Sequence, residues 1–381
     1  MSTHVYFDHN ATTALNSKVL EAMQPFMGSQ NNASSRHAFG RVARNAVDTA
    51  REQVANAVGA HPSQIVFTAS GTEANNFAIN GIASNCFDKN IVISSIEHPC
   101  VTRPALALKK HGFQVQQVLA NAQGVIEKSA LGAMLKPDTA LISVMLANNE
   151  TGAIQPIADL VEIAKKYGAF VHTDAAQALG KIALNFADLN VHAMTISSHK
   201  IGGPQGAGAL VLDKRVDIQP LLHGGGQEKG LRSGTENVAA IVGFGQACEL
   251  AVANLDNYAH HTSQLRNQLE AELAKIGAVI FGQTAMRLPN TSFLGFNNIE
   301  GETLVMALDR KGFAVASGSA CSSDSTEPSH VLLSMGVDPD LARGAIRVSF
   351  GMENTAEQVA HFVVVITQEL KRLKQMVALA A

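Results

Sequence analysis

Short apolar-rich runs alternate with longer amphipathic stretches over most of this chain. Positions 5–8 predict a short strand, followed by a polar turn at His9-Asn10-Ala11-Thr12-Thr13 and a helix over about 17–27. Between 40 and 59, Val42, Ala46, Val47, Ala50, Val54 and Val58 recur at helical spacing and predict an amphipathic helix. Strand-like runs follow at 64–68, 90–94, 114–118, 139–145, 169–174, 191–196 and 208–212. Helical patterns at 101–111 and 157–167, and a helix opening after Ser70, separate several of them. Strands that alternate with helices predict an α/β fold with a mostly parallel sheet. Beyond it, helical patterns cover 237–254 and run on to about 275. Strands at 290–296, 313–316 and 345–350, with helices at 302–311 and 356–377, then predict a smaller α+β domain. The division is a large domain over 14–253 and a small one from 1–13 and 254–381.

The residues after the strands carry the candidate chemistry. His98 follows one apolar run, Asn148 another, Asp174 closes a third and Lys200 follows a fourth. A parallel sheet gathers such ends on one edge, where open α/β sheets bind ligands, so these four should converge. Lysine is rarely hidden without a task. Lys200 lies between Ser197-Ser198-His199 and a glycine turn, and its amine suits condensation with an aldehyde cofactor, with Ser197 and His199 beside a phosphate. By itself it reads equally as a surface lysine at a strand end. Ser70-Gly71-Thr72-Glu73 is either a plain helix cap or an anion site made of helix amides. Asp174 is either a helix N-cap or the acid that holds a protonated ring nitrogen. The glycine-rich stretch 222–235 reads as a lid or a subunit contact.

Composition removes several classes. The chain has 381 residues, 46% of them hydrophobic and 16% charged, as in an ordinary globular protein. A net charge of −3 gives no reason to expect nucleic acid or membrane partners. Four cysteines, Cys86, Cys100, Cys248 and Cys321, lie far apart without metal-ligand spacing. No metal site is expected, and a reducing, cytoplasmic setting is. No apolar signal segment opens the chain. Cys86, Cys100 and Cys248 sit in or beside apolar helical patterns and read as structural. Cys321 sits instead in the small-residue loop Ser317-Gly318-Ser319-Ala320-Cys321-Ser322-Ser323-Asp324, whose composition suits a mobile loop.

Taken in order, these motifs make the whole chain similar to the NifS/IscS-like cysteine desulfurases, class V aminotransferases of pyridoxal phosphate (PLP) fold type I. The matching stretches are Ser34-Ser35-Arg36-His37, Gly71-Thr72-Glu73, Glu97-His98, Asn148-Asn149-Glu150, Asp174-Ala175-Ala176-Gln177, Ser197-Ser198-His199-Lys200, Arg232-Ser233-Gly234-Thr235, Ser317-Gly318-Ser319-Ala320-Cys321 and Ile346-Arg347. The resemblance implies a large domain with a mostly parallel seven-stranded sheet and a small domain bearing the cysteine loop.

It also implies roles. Lys200 would hold the PLP aldehyde and serve as acid and base at the substrate Cα. His98 would stack on the ring and shuttle protons. Asp174 would hold the ring nitrogen and Gln177 the 3′-oxygen, with Asn148 near ring and substrate. Gly71, Thr72, Ser197, Ser198 and His199 would line the phosphate site, joined by Thr235 from the other subunit of a homodimer. Arg347 would pair the carboxylate of L-cysteine, and Cys321 would take its sulfur as a persulfide for an acceptor protein, such as an iron–sulfur scaffold. The alternatives are a selenocysteine lyase or another class V β-lyase, or a scaffold that kept only the fold. Two departures stand out. The chain stops soon after its last helix, which puts delivery to an iron–sulfur scaffold in question. Ser198 stands where scaffold-feeding relatives often carry glycine.

Overall fold

The computed structural model describes residues 4–87, 89–318 and 327–380, the side chains of 377–380 excepted. Its strands are, in chain order, β1 (Val5–Tyr6), β2 (Ile65–Thr68), β3 (Asn90–Ser94), β4 (Gln114–Val118), β5 (Thr139–Ser143), β6 (Phe170–Asp174) and β7 (Ala193–Ser197). They continue with β8 (Gly208–Leu212), β9 (Val279–Ile280), β10 (Thr291–Gly295), β11 (Phe313–Ala314), β12 (Ala316–Ser317) and β13 (Ala345–Ser349). Seven form one sheet in the order β2-β8-β7-β6-β5-β3-β4. Every pair in it is parallel except the two made by β8. Strands β2, β3, β5, β7 and β8 are buried at every position, as a sheet covered on both faces requires.

Helices cover the two faces. On one, Ala43, Val47, Ala50 and Val54 of the helix Ala38–Ala57 enter the core. The buried stripe therefore starts one residue after the predicted Val42, which is exposed. The steps of four and three from Ala43 track the helix better than those from Val42. On the other face Ala74, Phe77, Ala78 and Ile82 of Gly71–Ala83 pack beneath Val66, Ile91 and Leu210. Gly208 permits this: a Cβ there would lie 2.6 Å from the Ser70 carbonyl carbon, so only glycine lets the turn into that helix press on β8.

A separate core gathers Phe7, Leu265, Leu269, Phe296, Leu308, Phe313, Phe350 and Phe362. The sheet β12-β13-β10-β9, the β1-β11 pair and the helices Leu255–Ala274 and Ala356–Ala380 build the layer around it. The N-terminal segment joins the two layers. Val5 and Tyr6 pair with β11, while Thr13 N and Asn16 N bond the His199 and Gly202 carbonyls of the large sheet's edge. Predicted helices at 17–27, 101–111 and 157–167 each end in a 3-10 turn. The short helices Lys128–Met134, Phe186–Leu189, His330–Ser334 and Pro339–Arg343, at one to two turns, were not foreseen. They are too brief to show a period. No single helix among the described residues is long and apolar enough to cross a membrane.

Candidate active site

A cavity of about 530 Å³ opens at the carboxyl edge of the parallel strands. Its wall includes Gly71, Thr72, His98, Asp174, Gln177, Ser197, His199, Lys200 and Arg347. Three of the four strand-end residues thus meet there.

Lys200 ends the 3-10 turn that follows β7. Its Nζ donates to the main-chain oxygens of Asn10 and Ala11, each at 2.6 Å. The polar turn after β1 therefore forms part of the wall. Asp174 closes β6, with Oδ1 accepting the Ala176 amide at 2.9 Å and Oδ2 the Asn75 amide group at 2.7 Å. His98 caps the helix Pro99–Ala107, its Nδ1 accepting the Cys100 amide at 3.2 Å. Burial lowers the His98 pKa most, with Lys200 adding to the effect and Asp174 opposing it, so the imidazole is held toward neutral. Burial and the nearby lysines push His199 down to about 4. Beside them Glu97 is wholly buried and pushed up to about 8, chiefly by burial. Its Oε1 accepts from Ser94 Oγ at 2.5 Å and from Met145 N at 2.7 Å.

The phosphate corner is built as an anion site. The helix Gly71–Ala83 opens at the cavity with Ser70 as its cap, and its first amides have no partner within the helix. Ser197 Oγ is buried, lines the cavity and has no hydrogen-bond partner. An orphaned hydroxyl facing free helix amides, beside a lysine amine and across from a carboxylate, fits the phosphate, aldehyde and ring nitrogen of PLP.

Three predicted residues do not reach this surface. Asn148 is fully buried, its Nδ2 donating to Ile96 O while its Oδ1 accepts from Glu150 N, Thr151 N and Thr151 Oγ1. A strand end that turns back on itself uses its asparagine to hold the turn, and Ala147 and Asn149 line the cavity instead. Ser198 is also fully buried and turned from the cavity, its Oγ near the space that a Gly203 side chain would occupy. Thr235 is exposed and absent from this chain's own cavity wall. Cys321 lies outside the described residues, but β12 pairs Ala316 with Arg347, so the chain leaves for that cysteine from beside the arginine.

Arg347 sits mid-strand in β13, opposite Phe293 and Ala316. Its Nη2 bonds Asp8 at 2.6 Å and its Nη1 donates to Asn149 O at 2.9 Å. Each terminal nitrogen keeps one N–H, and Nε is buried without a partner, so the fork still has donors to offer a carboxylate.

Other wall residues escaped sequence reasoning. Cys100, read as structural, lines the cavity with Sγ 2.8 Å from His98 Nδ1 and 3.0 Å from Asn75 Nδ2. Burial and the Asp174 charge push its thiol pKa far up, which makes it a neutral neighbour rather than a nucleophile. Asn75 lies one turn into its helix and carries no signal by itself. Asp8 and Asn10 could have been found as polar residues packed directly after an apolar strand.

Known proteins share this sequence and fold over nearly the whole chain. The family described as Aminotransferase class-V matches residues 5–362. The cysteine desulfurase IscS of Dictyoglomus turgidum is 42% identical over 379 residues, covering 98% of this chain and 96% of that protein. A solved NifS-like protein superposes with a TM-score of 0.91 at 40% identity, covering 97% of this chain and 99% of its own. The structure of SspA in complex with cysteine reaches a TM-score of 0.80 at 34% identity, over 91% and 98% of the two chains. Full-length similarity at this level, over a cavity whose groups suit PLP, places the chain in the class-V aminotransferase family, among its cysteine desulfurases.

Proposed function

We propose that the chain uses PLP to convert L-cysteine into L-alanine and passes the sulfur to Cys321 as a persulfide. The observation that carries this reading is the meeting of the Lys200 amine, the Asp174 carboxylate and the unpartnered Ser197 hydroxyl on one cavity that Arg347 also enters. Bound there, PLP would supply the electron sink that makes the Cβ–S bond of cysteine breakable.

The chain's own residues do the rest. Gly71, Thr72, Ser197 and His199 would hold the phosphate, and Asp174 would hold the ring nitrogen. Lys200 Nζ would bind the aldehyde and would later take and return the proton at the substrate Cα. His98 uses Nε2 for proton transfer, since Nδ1 is occupied by the Cys100 amide. Arg347 holds the substrate carboxylate with its remaining N–H groups. The Cys321 thiolate attacks the substrate Sγ. An S–S bond forms as the Cβ–S bond breaks, and the proton lost by the thiol is matched by one gained at Cβ, so no outside oxidant or reductant is needed. A sulfur-acceptor protein, such as an iron–sulfur scaffold, then removes the persulfide sulfur. A homodimer completes the phosphate site with Thr235 of the opposite subunit, which agrees with that residue's exposure here. Free, separated cysteines suit a reducing, cytoplasmic setting.

The test measures alanine and pyruvate formed from cysteine by the wild type and by Cys321→Ser. The variant should keep the cofactor band, bind cysteine and form neither alanine nor a persulfide. Alanine production that survives the substitution would show that Cys321 is not the sulfur acceptor. Pyruvate in place of alanine would mark a β-lyase.

A further inference from the structure

Lys181 is only 2% exposed and has no place in the mechanism above. Its Nζ donates to Gln177 Oε1 at 2.5 Å and to Asn10 Oδ1 at 2.7 Å. Both partners are neutral amides, whereas a buried lysine ordinarily has a carboxylate. Lysine offers donors and no acceptor, so the atoms it meets must be oxygens. That settles two side chains whose ends are otherwise interchangeable. Gln177 must turn its Nε2 the other way, where one N–H goes to Asn10 O at 2.9 Å and the second remains for whatever fills the cavity that Gln177 lines. Asn10 must turn its Nδ2 toward Asn149 O and Thr291 Oγ1. The Asn10 main-chain oxygen then accepts from both Gln177 and Lys200.

We propose that Lys181 is a positioning residue: it holds the Gln177 amide with an N–H presented to the cofactor's 3′-oxygen, and holds Asn10, whose carbonyl clamps the Lys200 amine. This rests on the PLP reading given above. Burial, with the charges of Lys200 and Arg347 adding to it, lowers the Lys181 pKa, so the role rests on its hydrogen bonds and not on a fixed charge. Lys200 and Arg347 face Lys181, His9 and His199 feel its charge, and Glu353 and Tyr258 lie across a second cavity that Lys181 and Lys200 share. A donor at the 3′-oxygen favours the deprotonated oxygen. Loss of that donor raises the pH at which the bound cofactor's visible band titrates.

The experiment uses the holoprotein and reads that midpoint together with kcat and KM for cysteine. Lys181→Met should raise the midpoint by about one pH unit, a tenfold change in proton affinity. It should lower kcat about tenfold and leave KM within about twofold, since Arg347 is untouched. Lys181→Arg keeps donors and charge and should return the midpoint to the wild-type value. Where Lys181→Met does not fold, Lys181→Gln, too short to bridge Gln177 and Asn10 as the lysine does, should still raise the midpoint. A wild-type midpoint in the folded uncharged variant, or a raised one in Lys181→Arg, overturns the proposal. Gln177→Leu separates this from the underlying reading. If that variant leaves the band unmoved, Gln177 does not reach the cofactor and the site reading fails. If it shifts the band while Lys181→Met does not, only the positioning role fails. In the double variant the two shifts should add to less than their sum, because one residue acts partly through the other.

Discussion

Arg347 has part of its fork already spent on Asp8 and Asn149. Those contacts fix its plane and leave N–H groups for the substrate carboxylate in the proposed reaction. A lysine cannot serve both sides, because it offers a point charge instead of a planar fork. Hydrogen bonds to charged groups contribute about 1.5–3 kcal/mol, so Arg347→Lys should raise KM for cysteine by roughly one to two decades. Steady-state kinetics check this, and an unchanged KM would show that another residue holds the carboxylate. Glu97 makes a second prediction. Its folded pKa, about 8, lies above the ordinary 4.5, so the folded state holds the extra proton. The stability this contributes is present in full below about 4.5 and is lost as pH rises through about 8. Glu97→Gln removes that dependence, so thermal melts of variant and wild type should converge or cross as pH rises across this window. Parallel pH profiles would refute it. Residues such as Lys200 and Asp174 were legible because a charge after a buried strand is conspicuous. Asn148 looked the same in sequence, yet its amide is consumed by the following turn, a difference that only the backbone path reveals.

At the scale of elements, the phosphate corner depends on how closely one helix approaches one strand. Gly208 on β8 leaves room for the Ser70–Gly71 peptide, and any side chain there meets main-chain atoms that cannot yield cheaply. Gly208→Ala should therefore tilt the start of Gly71–Ala83 away from Ser197 and weaken cofactor binding about tenfold or more, while the strand itself survives. Dialysis against cofactor-free buffer with absorbance of the retained fraction measures this. Full retention would mean that the turn relaxes without cost. Most strands of the main sheet were readable because a short apolar run flanked by turns is too brief for a core helix and long enough to cross a sheet. The two-residue strands β9, β11 and β12 were not distinct, since at that length pairing is decided by the neighbours across the sheet rather than by the residues themselves.

For the molecule as a whole, the site draws on two cores. Lys200, Asp174 and the phosphate corner belong to the large sheet, and Arg347 to the small one. The glycine-rich stretch ending in Thr235 is fastened to the large layer by the buried Arg51–Glu228 pair at 2.7 Å, with Glu228 also accepting the Phe67 amide. That anchoring presents Thr235 outward. In a homodimer, mixing Thr235→Ala with Lys200→Ala subunits should restore activity, because one of the two shared sites then contains both an intact lysine and an intact threonine. The mixture should exceed the sum of the separate variants once subunits exchange, with about half of the wild-type activity per mixed dimer and so roughly a quarter for the randomly exchanged mixture. No recovery after verified exchange would place Thr235 outside the partner's site. The expectation that Thr235 serves the opposite subunit comes from the family resemblance alone, since the residues themselves show only a threonine in a glycine-rich loop.

The catalytic amine is gripped by the peptide backbone: the oxygens that receive Lys200 belong to the main chain at Asn10 and Ala11. A survey of point mutants is blind to such a grip, since every replacement at Ala11 carries the same oxygen. That position would score as permissive while supplying one of the oxygens that hold the amine. Edits to the chain itself would expose it. An amide-to-ester exchange would weaken the carbonyl as an acceptor, and one inserted residue would carry it about 3.5 Å along the chain. Tolerance maps of this enzyme should thus show Ala11 quiet under substitution and a sharp intolerance of the same turn to insertion.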